Sequence, residues 1–110
     1  MADTGKLPLA DLLALEQLAY VRQRSLGTRN YRAAGALRLQ LTPRDLHWSR
    51  PSVFDPQVES LRRDLATFER LARRRAPAAG EAWQAVLAGV DRLLADAREL
   101  AGHRIRPRRG

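Results

Sequence analysis

DPQVESLRRDLATFERLARRR, residues 55–75, places apolar side chains at Val58, Leu61, Leu65, Phe68 and Ala72, with spacings that alternate three and four. A strand buries every second residue, so this pattern cannot lie flat in a sheet. On an α-helix the five gather into one seam. Asp55-Pro56 supplies a start signal, because proline is tolerated in a first helical turn where its missing N–H is not needed. The stretch therefore predicts a surface helix packed along a single line.

Downstream, Pro77 and Gly80 punctuate a loop. Trp83, Val86, Leu87, Val90, Leu93, Leu94, Ala97 and Leu100 then form a second seam that closes at Gly102. Two long seams with a short connection predict an antiparallel helical hairpin. Upstream, Pro8 suits a first turn, and Leu9, Leu12, Leu13, Leu15, Leu18, Tyr20 and Val21 continue a helical pattern to Gly27. These residues spread widely around the axis, so burial on more than one side is expected. Asn30 can cap a second helix over 31–41. Thr42-Pro43-Arg44-Asp45 opens a short turn that Pro51 stops. The expected fold is all-α: a small bundle of four to five helices ending in the hairpin, with residues 1–102 as one domain and 103–110 as a loose basic tail.

Composition agrees. Aromatics are 5% of the 110 residues and β-branched residues are few, which favours helix over sheet. There is no cysteine and only two histidines, so neither a disulfide nor a thiolate metal site can form, and no metal or other cofactor is expected. The longest apolar run, residues 7–21, is interrupted by Asp11 and Glu16, which argues against a signal peptide or a membrane span. A cytoplasmic protein with no membrane partner is expected.

Charge gives the functional lead. The formal net charge is +8, almost entirely from arginine, and a polyanionic partner fits such a balance. At 100° per residue, Arg62, Arg63, Arg70, Arg73 and Arg74 occupy one sector of the 55–75 helix, opposite its seam. Glu59 shares that sector and Glu69 lies at its edge, in reach of Arg73 at i,i+4. A solvated polar face gives the same pattern. Between Glu16 and Asp45, however, no acid occurs, while Arg22, Arg24, Arg29 and Arg32 cluster around Gly27. Guanidinium donates two hydrogen bonds to one phosphate. Tyr31 beside Arg29 and Arg32 can stack an unpaired base, whereas Tyr20 lies among apolar positions and is better read as core.

Nothing assembles a nucleophile: Ser25, Ser49, Ser52 and Ser60 lack His/Asp partners in any evident arrangement. His47 reads as a boundary residue, Trp48 as a cover for the core edge, and Trp83 as core. Arg98-Glu-Leu-Ala-Gly-His103 resembles the Arg, four to six residues, His signature of HEPN-type ribonucleases. The likeness spans six positions and implies that Arg98 and His103 act on the scissile phosphate, although Gly102 is expected to end the helix first.

The leading expectation is a non-catalytic helical subunit that holds nucleic acid, RNA or single-stranded DNA, by its phosphate backbone without reading sequence. Its contact residues are Arg22, Arg24, Arg29, Tyr31, Arg32, Arg62, Arg63, Arg70, Arg73 and Arg74. Such a chain suits a larger ribonucleoprotein, for example a multi-subunit CRISPR effector, with other protein subunits or further copies of itself as partners. The alternatives are a protein-interaction or oligomerisation module and, third, the HEPN-like ribonuclease.

Overall fold

The computed structural model describes residues 7–24, 37–38, 41, 48–49, 52–102 and 105–107. The protein is all-α: among these residues there are three helices, α1 (Leu9–Arg24), α2 (Asp55–Arg73) and α3 (Ala79–Ala101), and no strand. Leu37, Arg38 and Leu41 are also helical positions. The rest of the expected 31–41 helix, and the turn after Thr42, lie outside the described residues.

The decisive stretch behaves as its spacing predicts. Leu61, Leu65 and Phe68 are buried, and Val58 and Ala72 pack against the core half-buried. Helix α2 begins at Asp55 with proline in its first turn and no side-chain cap on its own N–H groups. The Asp55 carboxylate instead turns back to accept from the Ser52 backbone N–H at 3.1 Å, and the Phe54 N–H donates to the Ser52 hydroxyl at 3.1 Å. At its other end the Ala76 N–H reaches the Leu71 carbonyl and the Arg75 N–H the Ala72 carbonyl, each at 3.0 Å. This double closure is a Schellman ending, which needs a left-handed residue where glycine is usual. Arg75 fills it, with φ of 54°.

Helix α3 starts at Ala79, so Gly80 lies inside its first turn and not in the loop, which spans only residues 74–78. First-turn N–H groups make no intrahelical bond, so glycine weakens little there. Trp83, Val86, Leu87, Val90, Leu93 and Ala97 are buried as expected. At the end the seam advances by four, to Ala101, and Leu100 is 39% exposed. Gly102 then closes the helix in the left-handed region, its N–H on the Arg98 carbonyl at 2.9 Å.

Gln57 donates to Asp96 at 2.8 Å, Leu61 meets Gly89, and the rings of Phe68 and Trp83 lie 4.8 Å apart. Residue numbers rise along α2 as they fall along α3, so the two run antiparallel. Glycine at 89 is what permits the approach, since a Cβ there would stand 2.6 Å from Leu61 Cδ2.

Helix α1 differs from its sequence reading. Its buried residues are Asp11, Ala14, Leu15, Leu18 and Ala19, at the i, i+3, i+4, i+7 spacing of one stripe. Leu9 is 68% exposed, and Leu12 and Leu13 are half-buried. An acid and two alanines hold stripe positions while leucines flank them, so hydropathy alone blurs the face. Asp11 is fully buried and accepts from the Ser49 N–H at 2.6 Å, the Ser49 hydroxyl at 3.0 Å and the Ser52 hydroxyl at 2.9 Å. These bonds pin α1 to a strap, residues 48–49 and 52–54, ahead of α2. Trp48 and Phe54 meet edge to face at 6.0 Å within that strap. Leu37 and Leu41 are fully buried, and in the segment after Gly102 the Ile105 side chain enters the core at 6% exposure.

Candidate functional site

The amphipathic period of α2 that buries its seam also fixes its opposite face outward. Arg63, Arg70, Arg73, Arg74 and Arg75 are exposed and Arg62 is half-buried. Among the described residues no carboxylate lies within ion-pair distance of Arg63, Arg70, Arg74 or Arg75. Arg73 donates from Nε to the Glu69 backbone carbonyl at 3.4 Å and not to the Glu69 carboxylate, as its i,i+4 spacing suggested. Arg62 pairs with Glu59 at 2.8 Å. The Glu69 carboxylate pairs with Arg38 from the 37–41 segment at 3.4 Å.

Leu37 and Leu41 are fully buried, and Arg38 and Leu41 together with α2 line a cleft of about 350 Å³. Leu41, Leu65 and Ala66 supply apolar lining. Arg38, Arg62 and Arg63 supply guanidinium groups, and Glu59 and Glu69 carboxylates. Three cations against two anions leave the lining net positive, and of the three Arg63 has no ion pair among the described residues. Each of the two pairs has one partner more than half exposed, where ion pairs contribute only about 0.2–1 kcal/mol, so a phosphate group can compete for these arginines.

The Gly27 cluster divides. Arg22 does not project freely: its Nε and Nη2 donate to both oxygens of Asp91 on α3, at 2.8 and 3.0 Å, with its side chain 17% exposed. The fork that was expected to hold phosphate closes an interhelix contact. Arg24 is exposed and stands over the Tyr20 ring, 5.8 Å from its centroid, a cation–π contact on a half-buried tyrosine. Arg29, Tyr31 and Arg32 lie outside the described residues, as do His47 and His103. Arg98 is exposed with Nε toward the Leu94 carbonyl at 3.4 Å. The left-handed Gly102 ends its helix before position 103.

Two contributors escaped the sequence reading. Arg38 was not assigned to a site, although its place between buried Leu37 and Leu41 in a helical register puts it at the rim of whatever those leucines pack on. Arg75 extends, just past α2, the run of cations that have no ion pair among the described residues. Among the described residues no group of three or more His, Asp or Glu side chains is arranged to hold a metal ion, and no helix is long and apolar enough to cross a membrane. Comparison with protein-family models, with curated proteins and with solved structures finds no match to this chain.

Proposed function

We propose that this protein is a non-catalytic subunit that binds nucleic acid along the outer face of α2. The observation that carries the proposal is the row Arg63, Arg70 and, at the C-cap, Arg74: exposed, on one side of α2, and with no carboxylate in reach among the described residues. Arg63 and Arg70 are two turns apart, about 10.5 Å along the axis, so the row follows a strand and does not converge on one anion. Arg38 and Arg62 extend it to the cleft. Helix-terminal cations also favour the negative end of the helix dipole, but one or two suffice for that, and Arg70, Arg73, Arg74 and Arg75 at the end of α2 and just past it are four.

The contacts are to phosphate, because no described element presents a set of side chains built to enter a groove and read base pairs. A four-to-five-helix bundle with α2 and α3 as its hairpin, residues 103–110 as a basic extension, and a cytoplasmic ribonucleoprotein as its setting complete this reading.

Fluorescence anisotropy with labelled single-stranded RNA, single-stranded DNA and duplex DNA across a salt series tests it. With about five phosphates contacted, the log–log slope for single strands is expected near −3.5, and Arg70→Glu with Arg74→Glu should flatten it by at least about 1.4. Arg22→Ala should leave affinity unchanged, since its side chain is only 17% exposed and both Nε and Nη2 are held by Asp91. Absence of binding at low salt by folded protein would overturn the proposal and turn attention to a protein-interaction role.

A further inference from the structure

We infer that the cleft that Arg38 and Leu41 form with α2 receives one unpaired base of a bound strand and prefers guanine. This rests on the nucleic-acid reading above and adds to it a base subsite and a strand class. A volume of about 350 Å³ is equivalent to about a dozen water molecules, enough for a purine ring and at the small end of ligand clefts. The apolar surfaces of Leu41, Leu65 and Ala66 suit a base face. Arg63 at the rim has no ion pair among the described residues and is placed for the flanking phosphate.

The carboxylates give the choice of base. Glu69 is 23% exposed, is held through Oε2 by Arg38, and has no hydrogen bond to Oε1 among the described residues. Glu59 is held through Oε1 by Arg62. A carboxylate accepts two parallel donors, and guanine alone among the bases offers two side by side, N1–H and the 2-amino group. Adenine and cytosine set a ring-nitrogen acceptor beside their amine, and uracil sets carbonyls beside its N–H, so each turns an acceptor toward the anion. The guanine edge in question is free only when unpaired, so a duplex cannot use the subsite. Glu69 is the better placed reader, being the more buried and oriented by Arg38.

The experiment uses labelled uridine hexamers carrying one central guanine, adenine, cytosine or uridine, with a duplex of equal length, at low salt. The guanine hexamer should bind about five- to tenfold tighter than the others, the lower part of what a bidentate base contact gives. Ala66→Phe, on an exposed helical position that lines the cleft, should abolish that preference and leave duplex affinity unchanged; Ala66→Leu serves if the phenylalanine variant fails to fold. Glu69→Gln should move two quantities in opposite directions, tightening the uridine hexamer by removing a negative charge while shrinking the guanine preference. Equal tightening for all four hexamers would show Glu69 to be only a counter-ion and would overturn the inference. Hexamers that bind alike and ignore Ala66→Phe would overturn it too, leaving the phosphate-binding proposal standing. Loss of all polyanion binding in the wild type would remove both.

Discussion

Replacing Asp11 with alanine should destabilise the protein by about 3 kcal/mol, although in sequence it looks like an interruption of an apolar run. The carboxylate is fully buried and accepts three hydrogen bonds, from the Ser49 N–H and hydroxyl and the Ser52 hydroxyl. Hydrogen bonds to a charged group contribute about 1.5–3 kcal/mol each, and a buried donor left without a partner costs about 1–3 kcal/mol. Ser49 is half-buried, so water can replace part of what its two donors lose. Ser52 is 7% exposed, and its stranded hydroxyl carries most of the loss. Asp11→Asn should cost less, about 1–2 kcal/mol, because an amide still accepts from the Ser49 N–H but turns its NH₂ toward hydroxyls that were donating. Urea denaturation gives the differences, and for a chain of this size 3 kcal/mol corresponds to roughly 10–15 °C in melting temperature. A double-mutant cycle with Ser52→Ala should show coupling of at least about 1 kcal/mol. If Asp11→Ala lies within 1 kcal/mol of wild type, or the cycle is additive, the network does not pin α1 to the strap and the reasoning fails.

Arg75→Gly should stabilise by about 0.5–1 kcal/mol: a left-handed backbone costs a non-glycine residue about 1–2 kcal/mol, and glycine's greater unfolded-state freedom returns part of the gain; an unchanged urea midpoint would count against the strain. Gly89→Ala sets a helix-propensity gain of about 1 kcal/mol against overpacking of about 1–3 kcal/mol, because the new methyl meets Leu61 at 2.6 Å. A net loss of about 1 kcal/mol is expected, and it should shrink when Leu61→Val is added; a stabilised Gly89→Ala would show that Leu61 moves aside freely.

Legibility followed sequence distance. The seams of α2 and α3 are periodic within one helix each, so Leu61, Leu65, Phe68, Trp83 and Val90 could be placed in the core from spacing alone. The outward sector of arginines followed from the same periodicity read from the other side. The burial of Asp11 was not legible, since its partners stand 38 and 41 residues away and only the packed strap brings them under α1. The pairing of Arg22 was not legible for the same reason: its partner Asp91 is 69 residues distant. The cleft depends on where buried Leu37 and Leu41 seat their segment, a tertiary outcome that local pattern does not encode. Glu69 had a plausible local partner in Arg73, and the structure gave its carboxylate to Arg38 instead.

These long-range contacts also explain why the basic face stays free. On α3, Asp91 is taken by Arg22 of α1 and Asp96 by Gln57 of α2, so two acids of that helix serve to join it to its neighbours. On α2, Glu59 and Glu69 are drawn to Arg62 and Arg38 at the cleft. What remains at the C-terminal end of α2 is Arg70, Arg73, Arg74 and Arg75, with their positive charge uncompensated by any carboxylate among the described residues. A solvated face that served solubility alone gains nothing from such separation, since interspersed charges solubilise as well. Separation of this kind concentrates positive potential at one end of a rigid helix, which raises the encounter rate and the affinity for a polyanion. Arg73→Glu should therefore reduce polyanion binding in the anisotropy assay while leaving the core contacts of Leu61, Leu65 and Phe68 in place.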